Sequence, residues 1–78
     1  MKIEIKAAFG PGYNATILEN GEKIKGIREA LISLKPDRLP TIITEETLFD
    51  KTGRPIISGD RVASRFVVYY PGEFSIEA

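Results

Sequence analysis

The chain has 78 residues with no Cys, His or Trp, and its eleven Lys and Arg are balanced by eleven Asp and Glu. This length allows one domain, residues 1–78, which buries only roughly 60–65% of its unfolded surface, so a deep catalytic cleft is not expected. The missing residue types exclude a thiol nucleophile, an imidazole base, a disulfide framework and a Cys/His zinc site. Zero net charge gives no overall attraction toward nucleic acid or an acidic membrane.

The composition favours β-strands. Eleven Ile, three Val and five Thr are β-branched, and seven Gly and five Pro indicate many turns. No apolar run approaches the roughly 18–20 residues that span a bilayer, so no membrane association is expected. No secretory hydrophobic segment follows the start of the chain, and we therefore expect an intracellular, cytoplasmic protein.

The first predicted elements are a strand and a hairpin. Residues 2–8 alternate, with Ile3 and Ile5 on one face, as in a half-buried strand. Residues 9–12 interrupt this strand with two glycines around a proline. Asn20-Gly21 between two β-prone runs predicts a type I′ hairpin turn, because both positions accept a positive φ.

Residues 27–35 fit two kinds of secondary structure. Ile27, Leu31 and Leu34 have the spacing of a short amphipathic helix. From Ala30 onward, apolar residues also occur at every second position, as in a strand. The segment is short for a helix, so we favour a strand and keep a short helix at 27–35 as the alternative.

The C-terminal half contains further β-prone segments. Residues 41–44 are β-branched throughout, and turn signals at 50–53 and 58–60 bracket a short apolar run. Residues 62–70 form the longest apolar stretch. The sequence Tyr70-Pro71-Gly72-Glu73 is typical of a type II turn, which predicts a terminal hairpin onto the residues that follow.

Together these segments predict a mainly β fold. Six or seven short antiparallel strands separated by turns are typical of a small barrel or a sandwich. A helix at 27–35 would make the fold α+β instead. The chain shows no internal repeat, linker or low-complexity tract, in agreement with a single domain.

One part of the chain resembles known small proteins. The run Asn20-Gly21-Glu22-Lys23-Ile24-Lys25-Gly26-Ile27, followed by Leu39-Pro40-Thr41-Ile42, resembles a pattern in small bacteriophage-encoded β proteins, mostly of unknown function. In that pattern the segment that corresponds to 27–35 is a strand. The resemblance implies a phage or mobile-element protein, whose location would be the host cytoplasm.

A second stretch carries a scaffold motif. The spacing Asp50-x-x-Gly53-x-x-Ile56-x-x-Gly59-Asp60-Arg61-Val62 is similar to the entry into SH3-like barrels of small bacterial and phage proteins. The resemblance implies one turn at Gly53, an inward Ile56 and a second turn capped by Asp60. It implies no catalytic residue.

Four carboxylates are candidates for a cation site or for an acid/base pair: Glu45, Glu46, Asp50 and Asp60. Their spacing matches no EF-hand loop, and both aspartates lie where turns favour Asp. A raised carboxyl pKa requires burial in a pocket that a domain of this size rarely forms. We therefore predict no metal, no cofactor and no enzymatic activity.

The alternation along the last long apolar stretch predicts a protein-binding strip of Arg65, Val67 and Tyr69. If Phe66 and Val68 face the core, these three residues share the outer face, because side chains alternate along a strand. Tyr and Arg are favoured at protein interfaces, and an edge strand can pair with a partner. The strip therefore predicts binding of another protein or self-association.

Tyr13, in the loop after the first strand, is a second candidate for contact with a partner. The expected function is a non-catalytic, protein-binding module. Such a phage-like protein would serve as a virion or assembly accessory, or as an inhibitor of a host protein.

The alternative function is nucleic-acid binding by a small β-barrel. Lys51, Arg54, Arg61 and Arg65 form the one basic concentration in the chain, and aromatic residues follow them. Arginines can contact phosphates while aromatic rings stack on bases. Overall neutrality makes nucleic acid the less favoured partner.

Overall fold

In the computed structural model, residues 1–8 and 14–77 are described. They form nine strands and no helix, which confirms the mainly β prediction, and 27–35 contains a strand, so the helical alternative is wrong. No helix within these two ranges is long and apolar enough to span a membrane. The strands are β1 (Lys2–Ala8), β2 (Asn14–Glu19), β3 (Glu22–Lys23), β4 (Ile27–Ser33), β5 (Thr41–Thr47), β6 (Ile57–Ser58), β7 (Arg61–Val62), β8 (Ser64–Tyr69) and β9 (Glu73–Glu77).

The strands form three sheets. The first sheet has the order β3-β2-β1-β9, the second sheet has the order β4-β5-β8, and β6 and β7 form a small separate hairpin. Three of the nine strands, β3, β6 and β7, are only two residues long. These short strands account for the difference from the six or seven that the sequence predicts.

The predicted N-terminal strand and hairpin are confirmed. Ile3 and Ile5 of β1 are buried, and β2 pairs with β1 in antiparallel register. Between β2 and β3, Asn20 and Gly21 have φ values of 51° and 85°, as a type I′ turn requires. The Asn20 backbone N–H donates to the Lys2 carbonyl (2.8 Å), and the Lys2 N–H donates to Asn20 Oδ1 (2.9 Å). The turn is therefore fastened to the start of β1.

The predicted terminal hairpin is wrong. Strand β9 does not pair with β8 but runs parallel to β1 in the first sheet, with Ile3 opposite Phe74. The segment before β9 carries the chain from one sheet to the other. Pro71 is buried there, and the Gly72 N–H donates to the Met1 carbonyl (3.0 Å). Gly72 has no positive φ, which a type II turn requires at that position, so the predicted type II turn at Tyr70-Pro71-Gly72-Glu73 does not form either.

The second sheet is antiparallel and has β5 at its centre. Its register with β4 shifts between Ile27 and Glu29, so a bulge at Arg28 precedes the regular part of β4. Both sheets contribute to one core. The buried apolar residues of that core are Ile3, Ile5, Ile17, Ile42 and Tyr69.

The sheets remain open, and among the described residues no barrel closes. The accessible surface is 5941 Å², whereas a compact monomer of 8.7 kDa is expected to expose ~4,700 Å². The radius of gyration is 14.0 Å, against about 11.5 Å for a compact domain of this length. Of the predicted small barrel or sandwich, the barrel does not form among the described strands, which lie in three open sheets. The prediction of purely antiparallel strands is wrong, because β9 runs parallel to β1.

The segment between β5 and β8 forms the two predicted turns. The Gly53 N–H donates to the Asp50 carbonyl (3.0 Å), and Gly53 and Gly59 have positive φ values of 83° and 66°. Ile56 is exposed rather than inward, contrary to the expectation from the SH3-like motif. Its backbone N–H donates to the Leu48 carbonyl (2.9 Å), so the segment folds back on the end of β5 without entering the core.

Candidate protein-interaction surface

The second sheet has one face toward the core and one face toward solvent, here called the outer face. On β5, Ile42 is buried, whereas its neighbour Ile43 is on the outer face. Ile43 lies opposite Leu31 of β4 and opposite Val68 of β8, so these residues form one row across all three strands. Phe66 is two residues from Val68 on the same face. We call Leu31, Ile43, Phe66 and Val68 the apolar patch.

The side chains of the apolar patch are exposed to solvent. Phe66 is 74% exposed and Leu31 is 62% exposed, and the other two residues are also exposed. Single exposed apolar residues are ordinary on protein surfaces, but a contiguous set that includes an aromatic ring is typical of an interaction site. The arrangement can therefore bind a complementary apolar surface.

A polar group borders the patch. Glu45 lies opposite Phe66 in the register of β5 and β8. Its Oε2 accepts a 2.6 Å hydrogen bond from the Ser64 hydroxyl and lies 3.9 Å from Arg28 Nη1. A charged and hydrogen-bonded rim around an apolar centre is the usual anatomy of a protein interface.

The opposite, inner face holds a buried polar cluster. Glu46 Oε2 accepts hydrogen bonds from the Thr44 hydroxyl (2.5 Å) and from the Tyr69 phenol (2.7 Å), and all three residues are buried. Burial raises the pKa of Tyr69 to about 12, and its hydrogen bond and Coulomb interaction with Glu46 contribute in the same direction. The phenol therefore stays neutral over the physiological pH range.

This cluster corrects the predicted orientation of β8. Arg65, Val67 and Tyr69 share a face as predicted, but that face is toward the core: Tyr69 is only 8% exposed and Val67 is half-buried. Phe66 and Val68, predicted to be inward, are the exposed residues. Both faces of β8 are apolar, so alternation alone does not reveal which face is buried. The hydroxyl of Tyr69 reaches a carboxylate on another strand, and this pairing has no local sequence signal.

Of the proposed contact residues, Arg65 is exposed at the start of β8. Tyr13 lies outside the described residues. Sequence reasoning missed the apolar patch, because its four members come from three strands whose register was not known. The β-branched pattern of β5 identified the strand but did not show which of Ile42 and Ile43 faces solvent.

The four basic residues of the alternative function are all exposed: Lys51, Arg54, Arg61 and Arg65. The first three lie on the segment between β5 and β8, and the fourth is on β8. Arg65 and the exposed ring of Phe66 are on opposite faces of β8. The structure therefore does not place this arginine and this aromatic ring on one stacking surface.

The acidic candidates occupy different parts of the fold, and Asp60 is exposed in the turn between β6 and β7. Glu45 is on the outer face and Glu46 is on the inner face of β5. Asp50 Oδ1 accepts hydrogen bonds from the Thr52 hydroxyl (2.6 Å) and from the backbone N–H groups of Thr52 (2.9 Å) and Arg54 (3.0 Å). The bond from the Thr52 hydroxyl is the main cause that lowers the pKa of Asp50 below its ordinary 3.8. Asp50 therefore stabilises its own turn.

A cleft of about 570 Å³ lies where the two sheets diverge beside β4. Its walls come from both sheets and are mostly aliphatic, with Ile5 and Ile17 from the first sheet and Ala30 and Ile32 from the second. The cleft leaves part of the inner surface of β4 without a neighbour, and β4 is also the edge of its sheet.

Within residues 1–8 and 14–77, no group of three or more His, Cys, Asp or Glu side chains is arranged to hold a metal ion. Comparisons with protein-family models, with curated proteins and with solved structures find no match for this chain.

Proposed function

We propose that this protein is a non-catalytic module that binds another protein through the outer face of its second sheet. The observation that supports this proposal is the exposure of Phe66, 74%, beside the continuous row of aliphatic residues Leu31, Ile43 and Val68. Burying exposed apolar area contributes roughly 25 cal/mol per Å², and buried aromatic side chains are frequent anchors of binding energy. The partner surface is expected to be apolar and close to neutral at its centre.

The rim of the patch supports specificity. Glu45 is held by Ser64 and faces Arg28, so a partner meets both an acidic and a basic group beside Phe66. A partner group that pairs with this rim orients the complex, because complementary charges suppress wrong registers. Residues 20–27 and 39–42 resemble small bacteriophage-encoded β proteins, and we extend the proposal to a virion or assembly accessory, or an inhibitor of a host protein.

The test is affinity capture from the native host with three forms of the tagged protein. The double variant Phe66→Ser with Val68→Thr changes the patch, and Ile57→Ser is the control, because Ile57 is also apolar and exposed but lies on the small hairpin. We expect one protein captured near stoichiometry by the wild type and by Ile57→Ser, and lost from the double variant. Circular dichroism verifies that all three forms are folded.

Equal capture by all three forms, or no protein captured above background by the wild type, would contradict the proposal. Capture of nucleic acid would instead favour the alternative function, in which the exposed Lys51, Arg54 and Arg61 contact phosphates. Salt distinguishes the two functions: phosphate binding weakens linearly on a log–log scale as salt rises, whereas binding through an apolar patch changes little.

A further inference from the structure

Strand β4 is an open edge of the second sheet. It pairs with β5 on one side, and among the described strands none pairs with its other side. Proteins usually protect such edges with Lys, Pro or a bulge. The bulge at Arg28 interrupts the beginning of β4, but residues 30–34 contain no charge, proline or glycine. Leu31, Ile32 and Leu34 are exposed along this edge, which is therefore suited to pairing with another strand.

The molecule also exposes more surface than a compact monomer. The excess over the expected area is about 1,200 Å². A standard stable interface buries about 800 Å² on each partner, so the excess is large enough to be covered by one such contact. With no net charge, two copies of the chain do not repel each other overall.

We propose that two copies of this chain associate through β4, in antiparallel pairing about a two-fold axis at Leu31. The regular part of β4 after the bulge is Glu29–Ser33, and Leu31 is its central residue. A two-fold axis perpendicular to the sheet keeps the outer faces of both copies on the same side. The result is one continuous six-stranded sheet.

Every residue pair that this register creates between the two copies is compatible with a β-sheet. Leu31 lies opposite Leu31 of the second copy, Ala30 opposite Ile32, and Glu29 opposite Ser33, so no like charges meet. Residues that face the same side of the sheet are always paired, as the pleat requires. Shifting the register by one residue would instead place core-facing residues opposite outer-face residues.

The pairing has consequences on both faces of the sheet. On the inner face, Ala30 and Ile32 line the cleft, and the second copy adds apolar residues beside them. On the outer face, Leu31 joins the two apolar patches at the axis. The contact lies at the edge, so it goes beyond the proposed function and leaves Phe66 and Val68 free to bind a different protein.

The chain lacks cysteine, which allows a direct test by single-cysteine cross-linking. Directly opposed residues of an antiparallel pair have Cα atoms about 4.5–5.5 Å apart, within the range of a disulfide. After mild oxidation, Leu31→Cys is expected to form a covalent dimer on a non-reducing gel. Ile57→Cys, equally exposed on the small hairpin, is expected to stay monomeric at the same concentration. Sedimentation equilibrium of the wild-type chain is expected to show a dimer.

Two results would overturn this proposal. One is a wild-type chain that stays monomeric in sedimentation at several hundred micromolar. The other is a dimer that Phe66→Cys cross-links and Leu31→Cys does not, because the copies would then meet face to face.

Leu31→Lys provides a second variant: it places like charges together at the axis and is expected to weaken dimerisation at least tenfold, with Ile57→Lys as its control. If the chain is monomeric but still captures a partner through the apolar patch, the edge contact is refuted and the proposed function is not.

Discussion

The phenol of Tyr69 on β8 donates a 2.7 Å hydrogen bond to the carboxylate of Glu46 on β5, and both side chains are buried between the sheets. The Thr44 hydroxyl donates to the same oxygen. A carboxylate is costly to bury unless donors satisfy it. The two hydroxyl donors satisfy Glu46 on the inner faces of β5 and β8, and by side-chain alternation Ile43, Phe66 and Val68 lie on the outer face.

Tyr69→Phe tests this cluster. The substitution keeps the ring but removes one donor to a buried carboxylate, and hydrogen bonds to charged groups contribute about 1.5–3 kcal/mol. We expect the free energy of unfolding to fall by about that amount in chemical denaturation. Tyr70→Phe is the matched control, because Tyr70 is exposed, and it is expected to change stability by less than ~0.5 kcal/mol. Equal effects of the two substitutions would contradict the buried cluster.

The raised pKa of Tyr69 predicts a specific dependence of stability on alkaline pH. Below the ordinary pKa of 10.0, the phenol is protonated in both the folded and the unfolded chain. Between pH 10 and about 12, the unfolded chain loses this proton first, so the free energy of unfolding falls as pH rises. Absorbance titration of phenolate is expected to show a late tyrosine that Tyr69→Phe removes and Tyr70→Phe retains. A late titration that persists in Tyr69→Phe would assign it to another residue.

Adjacent isoleucines of β5 provide a test of the face assignment. Ile42 is fully buried, whereas Ile43 is 39% exposed on the outer face. Truncation of a fully buried isoleucine to alanine costs about 2–5 kcal/mol, because it removes buried area and leaves a cavity. We expect Ile42→Ala to lower the free energy of unfolding by that amount and Ile43→Ala by less than half as much. Denaturant unfolding measures both losses. A larger loss for Ile43→Ala than for Ile42→Ala would show that the inner and outer faces of the sheet are assigned the wrong way round.

Gly26 is expected to be intolerant of a side chain. It has a φ of 78°, and a Cβ there would lie 2.6 Å from Phe49 Cε2. Gly59 has a similar φ of 66°, but a Cβ at that position would meet no atom within 4 Å. Gly59→Ala therefore carries only the backbone cost of about 1–2 kcal/mol, whereas Gly26→Ala also displaces the Phe49 ring. Thermal denaturation should show the larger loss for Gly26→Ala, and Phe49→Leu should reduce that difference.

Several elements were predictable because they depend on neighbouring residues only. The alternation of residues 2–8 predicted β1 with Ile3 and Ile5 inward, and Asn20-Gly21 predicted the hairpin of β2 and β3 from the φ values that these two residues accept. The turn at Asp50 followed from the preference of Asp for bonding its own backbone. Residues 27–35 fitted both a helix and a strand, and the hydrogen bonds that β5 supplies favour the strand.

The predictions that failed depend on contacts between residues that are far apart in the sequence. The orientation of β8 was inverted, because both of its faces are apolar and its decisive contact, from Tyr69 to Glu46, joins residues 23 positions apart. The terminal hairpin was wrong, because β9 pairs with β1 from the opposite end of the chain. The two turns of the SH3-like motif are present, but the described strands form no barrel.

The sequence by itself therefore determined the β character of this protein, its first strand, and the turns at Asn20-Gly21 and at Asp50 to Gly53, since backbone dihedral preferences and side-chain alternation act within a few residues. Only the tertiary structure decided which strands are neighbours, which face of each sheet is covered, and that Leu31, Ile43, Phe66 and Val68 form one patch. The physical reason is that burial and register arise from pairing between distant segments, and each segment alone accepts more than one partner.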